Sequence, residues 1–257
     1  MKRKITVIIC ILYCISAGCL KGGGNSDFLA STDLKYEKAK QESSMEQGVN
    51  VYRYSYYDMD DENNYKANPA FKLQREYLNN KKTAFVVIDP WCDMVFPKVN
   101  ERISENVRSY ILPIVKLAVK NDIPVYIFTN NPERFDFNTK ICEGLYELVD
   151  GKNVSLFYYD KIDGTQGFCN MLLDMGIDNL IYMGYASQLC MLYRNSGIVS
   201  VWYQSDFDLY VIPEATAALV DDEESHNTAM RNNICIMLSQ QGIAGLIPFK
   251  DILNYLD

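Results

Sequence analysis

Residues 83–89 read Thr-Ala-Phe-Val-Val-Ile-Asp, a continuous apolar run closed by an acid. A strand exposed to water on one face alternates polar and apolar residues, so an unbroken run predicts a strand buried on both faces. Ile103, Val107, Ile111, Ile114, Val115, Ala118 and Val119 follow at helical spacing, with Pro113 placed to kink that helix or to open a second one. Further buried strands are expected over 124–129, 154–159, 179–183 and 208–212, with a short last one over 246–249. Between them fall a helix around Phe168, Leu172 and Met175, stopped by Gly176, and another over 224–241. Alternation of this kind gives an α/β fold: a doubly wound, mostly parallel sheet with helices on both faces. Ligands of such sheets sit beyond the carboxyl ends of the strands. There is no GxGxxG and no P-loop, so nucleotide binding has no motif to rest on.

The front of the chain has a different texture. Lys2, Arg3 and Lys4 precede an apolar run from Ile5 to Ala17, too short to span a membrane, which reads as a secretory signal. Ser16-Ala17-Gly18-Cys19 resembles a bacterial lipobox, departing from it at Ser16, where an aliphatic residue is usual. That resemblance implies lipidation of Cys19, localisation as a secreted lipoprotein, and contact with a membrane only through the lipid anchor. Gly22-Gly23-Gly24 and the polar stretch to Gly48 have the composition of a tether. The tyrosine-rich, acidic segment from Val51 to Tyr77 has two readings, an extension packed on the domain or a linker. The organisation expected is therefore a signal over 1–19, a tether and tyrosine-rich extension over 20–80, and one folded domain over 81–257.

Composition excludes several classes of function. The formal charge is −8, and it becomes more negative once Lys2, Arg3 and Lys4 are removed, the opposite of a nucleic-acid-binding footprint. A single histidine, His226, leaves no multi-histidine metal site and no foundation for a histidine base. Beyond the signal stand Cys92, Cys142, Cys169, Cys190 and Cys235, an odd number without CxxC spacing, so neither a zinc site nor a full disulfide framework is expected.

Two strand ends carry chemistry-bearing residues. Asp89 closes the first apolar run, before Pro90-Trp91. Cys190 follows the strand Asn179-Leu180-Ile181-Tyr182-Met183 and the turn Gly184-Tyr185-Ala186-Ser187-Gln188-Leu189, about where a helix begins. A helix N-terminus stabilises a thiolate, so a thiol pKa below the free value of about 8.5 is expected. The strand ending in Asp89, together with Gly184-Tyr185-Ala186-Ser187-Gln188-Leu189-Cys190, resembles the isochorismatase-like superfamily, the cysteine hydrolases related to nicotinamidase. The resemblance runs from about Lys82 to Phe249. Trp91, Met191-Leu192-Tyr193-Arg194 and Gly197-Ile198 further resemble a divergent branch of that superfamily.

The resemblance implies a cysteine-dependent hydrolase of the C–N bond of a small amide. Cys190 would form an acyl-enzyme and Asp89 would serve as general base and acid. The peptide between Tyr185 and Ala186 would be cis, and the N–H groups of Ala186 and Cys190 would form the oxyanion hole. The family's lysine after the third strand corresponds to Lys161, which lies nearer the following helix than the usual pattern places it. Asn130-Asn131-Pro132-Glu133-Arg134 has no histidine where nicotinamidase-like members bind a metal, so no metal and no cofactor are expected. Arg194 has two readings, binding an anionic substrate group or pairing with Glu214. The expected partner is a small-molecule substrate, with no nucleic acid; assembly into a homo-oligomer is compatible with the family. The rival reading is a catalytically degenerate domain of the same fold that serves as a surface ligand- or partner-binding lipoprotein.

Overall fold

In the computed structural model the described residues are 48–60, 64–149, 151, 153–220 and 223–257. Cys19, the signal and the glycine-rich tether lie outside them. Among the described residues no helix is long and apolar enough to cross a membrane.

The apolar runs become the centre of an eight-stranded sheet. Its strands are β1 (Val49–Met59), β2 (Tyr65–Glu76), β3 (Thr83–Ile88), β4 (Val125–Thr129), β5 (Val154–Tyr158), β6 (Asn179–Tyr185), β7 (Asp208–Ala217) and β8 (Gly245–Leu246). They lie in the order β2-β1-β8-β7-β6-β3-β4-β5. From β8 to β5 every pairing is parallel, and β1 and β2 are added antiparallel at the edge. The helices are α1 (Pro97–Asn106), α2 (Leu112–Lys120), α3 (Glu143–Tyr146), α4 (Gly164–Asp174), α5 (Cys190–Tyr193), α6 (Ile198–Gln204), α7 (Glu224–Gln240) and α8 (Phe249–Leu256).

Successive side chains of a strand point to opposite faces, so β3 feeds two cores. Phe85 and Val87 pack with Val99 and Ile103 of α1, Ile114 and Val115 of α2, and Ile252 of α8. Ala84, Val86 and Ile88 pack with Phe168 and Leu172 of α4, Val201 of α6 and Leu238 of α7. A wider π-type turn, Val107–Ile111, joins α1 to α2 just ahead of Pro113, where the missing N–H of proline is tolerated.

The tyrosine-rich segment is packed on the domain. Its hairpin joins the sheet by pairing Tyr52 with Leu246. An isolated two-stranded hairpin is marginal in water. Here Val49 and Val51 are fully buried, worth about 1.5–3 kcal/mol each, and the Tyr54 N–H donates to Ser239 Oγ. Gly245 permits the approach, because a Cβ there would stand 2.5 Å from Val51 Cγ1. β7 runs beyond the expected 208–212, through Pro213 to Ala217. The slip in its pairing with β6, from Tyr182↔Val211 to Gly184↔Thr216, accommodates a residue that cannot donate to a ladder.

Candidate active site

β3 lies between β6 and β4, so the chain segments carrying Asp89 and Cys190 leave the sheet side by side at its carboxyl edge. Gly184 makes the close approach: its φ is +121°, and a Cβ there would fall 2.1 Å from the carbonyl oxygen of Ile88. No other residue fits that conformation and that gap. Asp89 turns the chain with φ +46°, in the left-handed region, and its N–H donates to Phe128 O of β4.

The Asp89 carboxylate is completely buried. Oδ1 accepts a hydrogen bond from the Tyr159 hydroxyl at 2.9 Å. Oδ2 has no donor within hydrogen-bonding distance; the Arg194 guanidinium stands 3.6 Å away through Nε, and the Cys190 thiol faces the same carboxylate. Arg194 lies over the Tyr159 ring, 4.5 Å from its centre, and Nη2 donates to Asn130 Oδ1 at 3.3 Å. A planar guanidinium can stack and pair in this way at once, which an ammonium cannot.

Burial drives the protonation pattern. Desolvation pushes Asp89 up to about 7, opposed by the charge of Arg194. Burial and the Asp89 charge push Cys190 up to about 12, opposed by Arg194 and by a hydrogen bond from the Ala186 N–H. Below about pH 7 both groups are protonated; above it the pair holds one proton, on sulfur, with the carboxylate as the stronger acid. This corrects the expectation of a lowered thiol pKa. The helix that starts at Cys190 is a single turn, too short to offer a useful dipole, and the charge that acts most strongly on the thiol is the Asp89 anion.

The peptide between Tyr185 and Ala186 is cis. The carbonyl of Ala186 accepts from Leu189 and Met191, while its N–H is directed to the Cys190 sulfur. The N–H of Cys190 stands in the first turn of α5, where helical N–H groups have no intrahelical acceptor. Ser187 N–H to Ala217 O, and the Gln188 side chain to the backbone of Leu219, pin this loop against β7. Trp91 donates to Thr129 Oγ1 and meets Tyr185 edge to face at 6.1 Å, closing one wall. Cys190 opens on a shallow depression of about 220 Å³ lined by Leu189, Tyr193 and Arg194.

Lys161 is not part of this cluster. It is exposed and lines a separate depression with Phe157, Phe168 and Met171. The turn after β5, Tyr159–Lys161, is a 3₁₀ turn. With three residues per turn, the residue two places after Tyr159 points away from it. Tyr159 takes the inward position and Lys161 the outward one. The pairing of Arg194 with Glu214 is likewise corrected: Glu214 accepts from the backbone of Phe249, and Arg194 turns to Asp89. His226 is exposed in the first turn of α7. Tyr159 and Asn130 enter the site without a motif to announce them. The one signal for Tyr159 is its place, directly after the third parallel strand, where the resemblance calls for a lysine that orients the aspartate.

Comparison with solved structures places this architecture. A cysteine hydrolase from Pseudomonas syringae pv. phaseolicola superposes with a TM-score of 0.51 at 12% identity, over 70% of this chain and 94% of that one. This is the isochorismatase-like fold. A nicotinamidase from Staphylococcus aureus (TM-score 0.48, 15% identity, 65% of this chain and 97% of that one) is also similar. So is an N-carbamoylsarcosine amidase from Thermoplasma acidophilum (TM-score 0.48, 14% identity, 65% and 96%). No family model matches the sequence, and no curated protein matches it.

Proposed function

We propose that this chain is a cysteine-dependent hydrolase of the C–N bond of a small amide, working through an acyl-enzyme. The observation that carries the reading is the buried Asp89 carboxylate, one oxygen accepting no hydrogen bond, facing the Cys190 thiol with Arg194 as its counter-charge. A carboxylate buried with an oxygen that accepts no hydrogen bond is costly, and such groups concentrate where chemistry needs a base.

In this mechanism Cys190 Sγ attacks the amide carbonyl carbon as its proton passes to Asp89 Oδ2. The carbonyl oxygen becomes an oxyanion held by the N–H groups of Ala186 and Cys190. Asp89 returns the proton to the leaving nitrogen, the C–N bond breaks, and a thioester remains. Water, deprotonated by Asp89, then cleaves the thioester and restores the thiol. Arg194 supplies the positive charge that keeps Asp89 ionisable, with Tyr159 holding Oδ1. Anchoring through Cys19, and assembly of the domain into a homo-oligomer, belong to the same proposal.

The test reads Cys190 itself. Its iodoacetamide alkylation rate, followed by mass spectrometry, should rise through about pH 7 as Asp89 ionises, level off, and rise again only in strong alkali. Acid quenching during exposure to a panel of small amides should leave an acyl adduct on the same peptide. A single titration near 8.5, the free-thiol value of about that size, with no adduct would leave the ligand-binding reading in its place. Anchoring is tested separately. Cys19→Ala should accumulate unprocessed precursor and lose metabolic lipid labelling, and equal labelling of the variant would exclude a lipid on Cys19.

A further inference from the structure

Two of the thiols outside the candidate site lie on neighbouring segments. Cys92 lies in the loop that leaves β3 and Cys142 in the segment that leads into α3, and both are free. An antiparallel bridge between Trp91 and Ile141 brings these segments together. The Cys92 N–H donates to Lys140 O at 2.9 Å and the Cys142 N–H to Pro90 O at 3.0 Å. Side chains one place after each bridge residue fall on the same face, on the diagonal across the bridge; the Cys92 thiol donates to Lys140 O at 3.7 Å, and each thiol shifts the acidity of the other, Cys92 as the more acidic partner. Cys92 is partly exposed and so within reach of an oxidant, whereas Cys142 is buried behind it. Cys169 and Cys235 are buried in the other core, where Ser205 and Thr216 act on them.

We propose that Cys92 and Cys142 form a reversible disulfide that clamps the loop carrying Asp89 and Trp91 to the segment before α3. The oxidant is a small-molecule disulfide such as oxidised glutathione. The Cys92 thiolate attacks one sulfur of that disulfide, forming a mixed disulfide and releasing one glutathione thiolate. Cys142 then loses its proton and attacks the Cys92 sulfur, and the second glutathione leaves. Two protein thiols are oxidised and one glutathione disulfide is reduced to two thiols. The clamp ties down the wall that sets Trp91 against Tyr185, so it acts on the candidate site without using any of its reacting groups.

Trypsin separates the two cysteines into peptides 83–98 and 141–152, which makes the link readable in the full chain. After oxidised glutathione, acid quench and alkylation of the remaining thiols, these two peptides should be found joined. The joined species should exceed any product at Cys169 or Cys235 by at least roughly tenfold and revert with reduced glutathione. It should raise the melting temperature by roughly 5 °C, since it closes a long loop. Cys142→Ser, or Cys142→Ala if serine unfolds the domain, should stop at glutathione on Cys92. Cys92→Ser should leave Cys142 unmodified. A glutathione adduct that persists on Cys92 in the unaltered chain, a link from Cys92 to Cys190, or oxidation of Cys92 no faster than of Cys169 overturns the proposal.

Discussion

Arg194→Ala should slow the chemistry of Cys190 by about 100-fold at pH 7, while Lys161→Ala changes it by less than about twofold. Arg194 is the cation that opposes burial at both members of the pair, lowering Asp89 and Cys190 alike. Without it the carboxylate is protonated over a wider range, and fewer molecules carry a base. The lower limb of the alkylation profile should therefore move from about 7 to higher pH, by a unit or more. Arg194→Lys should recover part of the rate, since the charge returns but the stacking on Tyr159 and the bond to Asn130 do not. Lys161→Ala removes a charge that faces away from the site. The opposite ranking, with Lys161 sensitive and Arg194 tolerant, would place the cation where the family pattern puts it and refute the assignment made from geometry.

The difference between Lys161 and Arg194 shows where sequence reading stops. The unbroken apolar runs made the parallel strands, their two-faced burial and their order of appearance legible, because burial on both faces leaves no room for polar alternation. Asp89 was legible because it ends such a run, and Cys190 because it stands after the turn that follows another. The cation was not, because charge acts through space and any arginine or lysine within a few ångströms serves. Arg194 stands four residues after Cys190, and the single turn of α5 folds it back toward β3. Nothing in its spacing separates that outcome from a surface ion pair. The same holds for Tyr159, whose inward direction depends on a 3₁₀ turn too short to leave a periodic trace. The hairpin of β1 and β2 was open for another reason. Only Val49 and Val51 are fully buried there, too few to mark an amphipathic strand, and its attachment relies on pairing with a two-residue strand distant in sequence.

Asp89→Asn should reduce turnover by roughly 10³-fold or more while making the fold less sensitive to alkaline pH. The first effect follows from the loss of the base: an amide cannot accept the thiol proton, and burial, the largest cause of the raised thiol pKa, persists in the variant although the Asp89 charge is gone. The second follows from linkage. The folded protein binds a proton at Asp89 up to about pH 7, whereas the unfolded chain releases it near 3.8. Between those values the native state holds more protons than the unfolded state, so stability from this group is fully present below 3.8 and is lost as pH rises toward 7. Asparagine carries no titrating proton, so the variant escapes that loss. Urea unfolding of both proteins at pH 5 and pH 8 should show the variant gaining on the parent by roughly 1–3 kcal/mol across the interval. That figure is lower than the full shift gives, because the interval covers only part of it and Arg194 can follow the charge. Tyr159 can still donate to Asn Oδ1, so the packing around the site is kept and the comparison isolates the proton. Parallel curves would mean that Asp89 is already ionised at pH 5, its proton affinity set by Arg194 and not by burial, and would refute the raised carboxylate on which the alkylation profile depends.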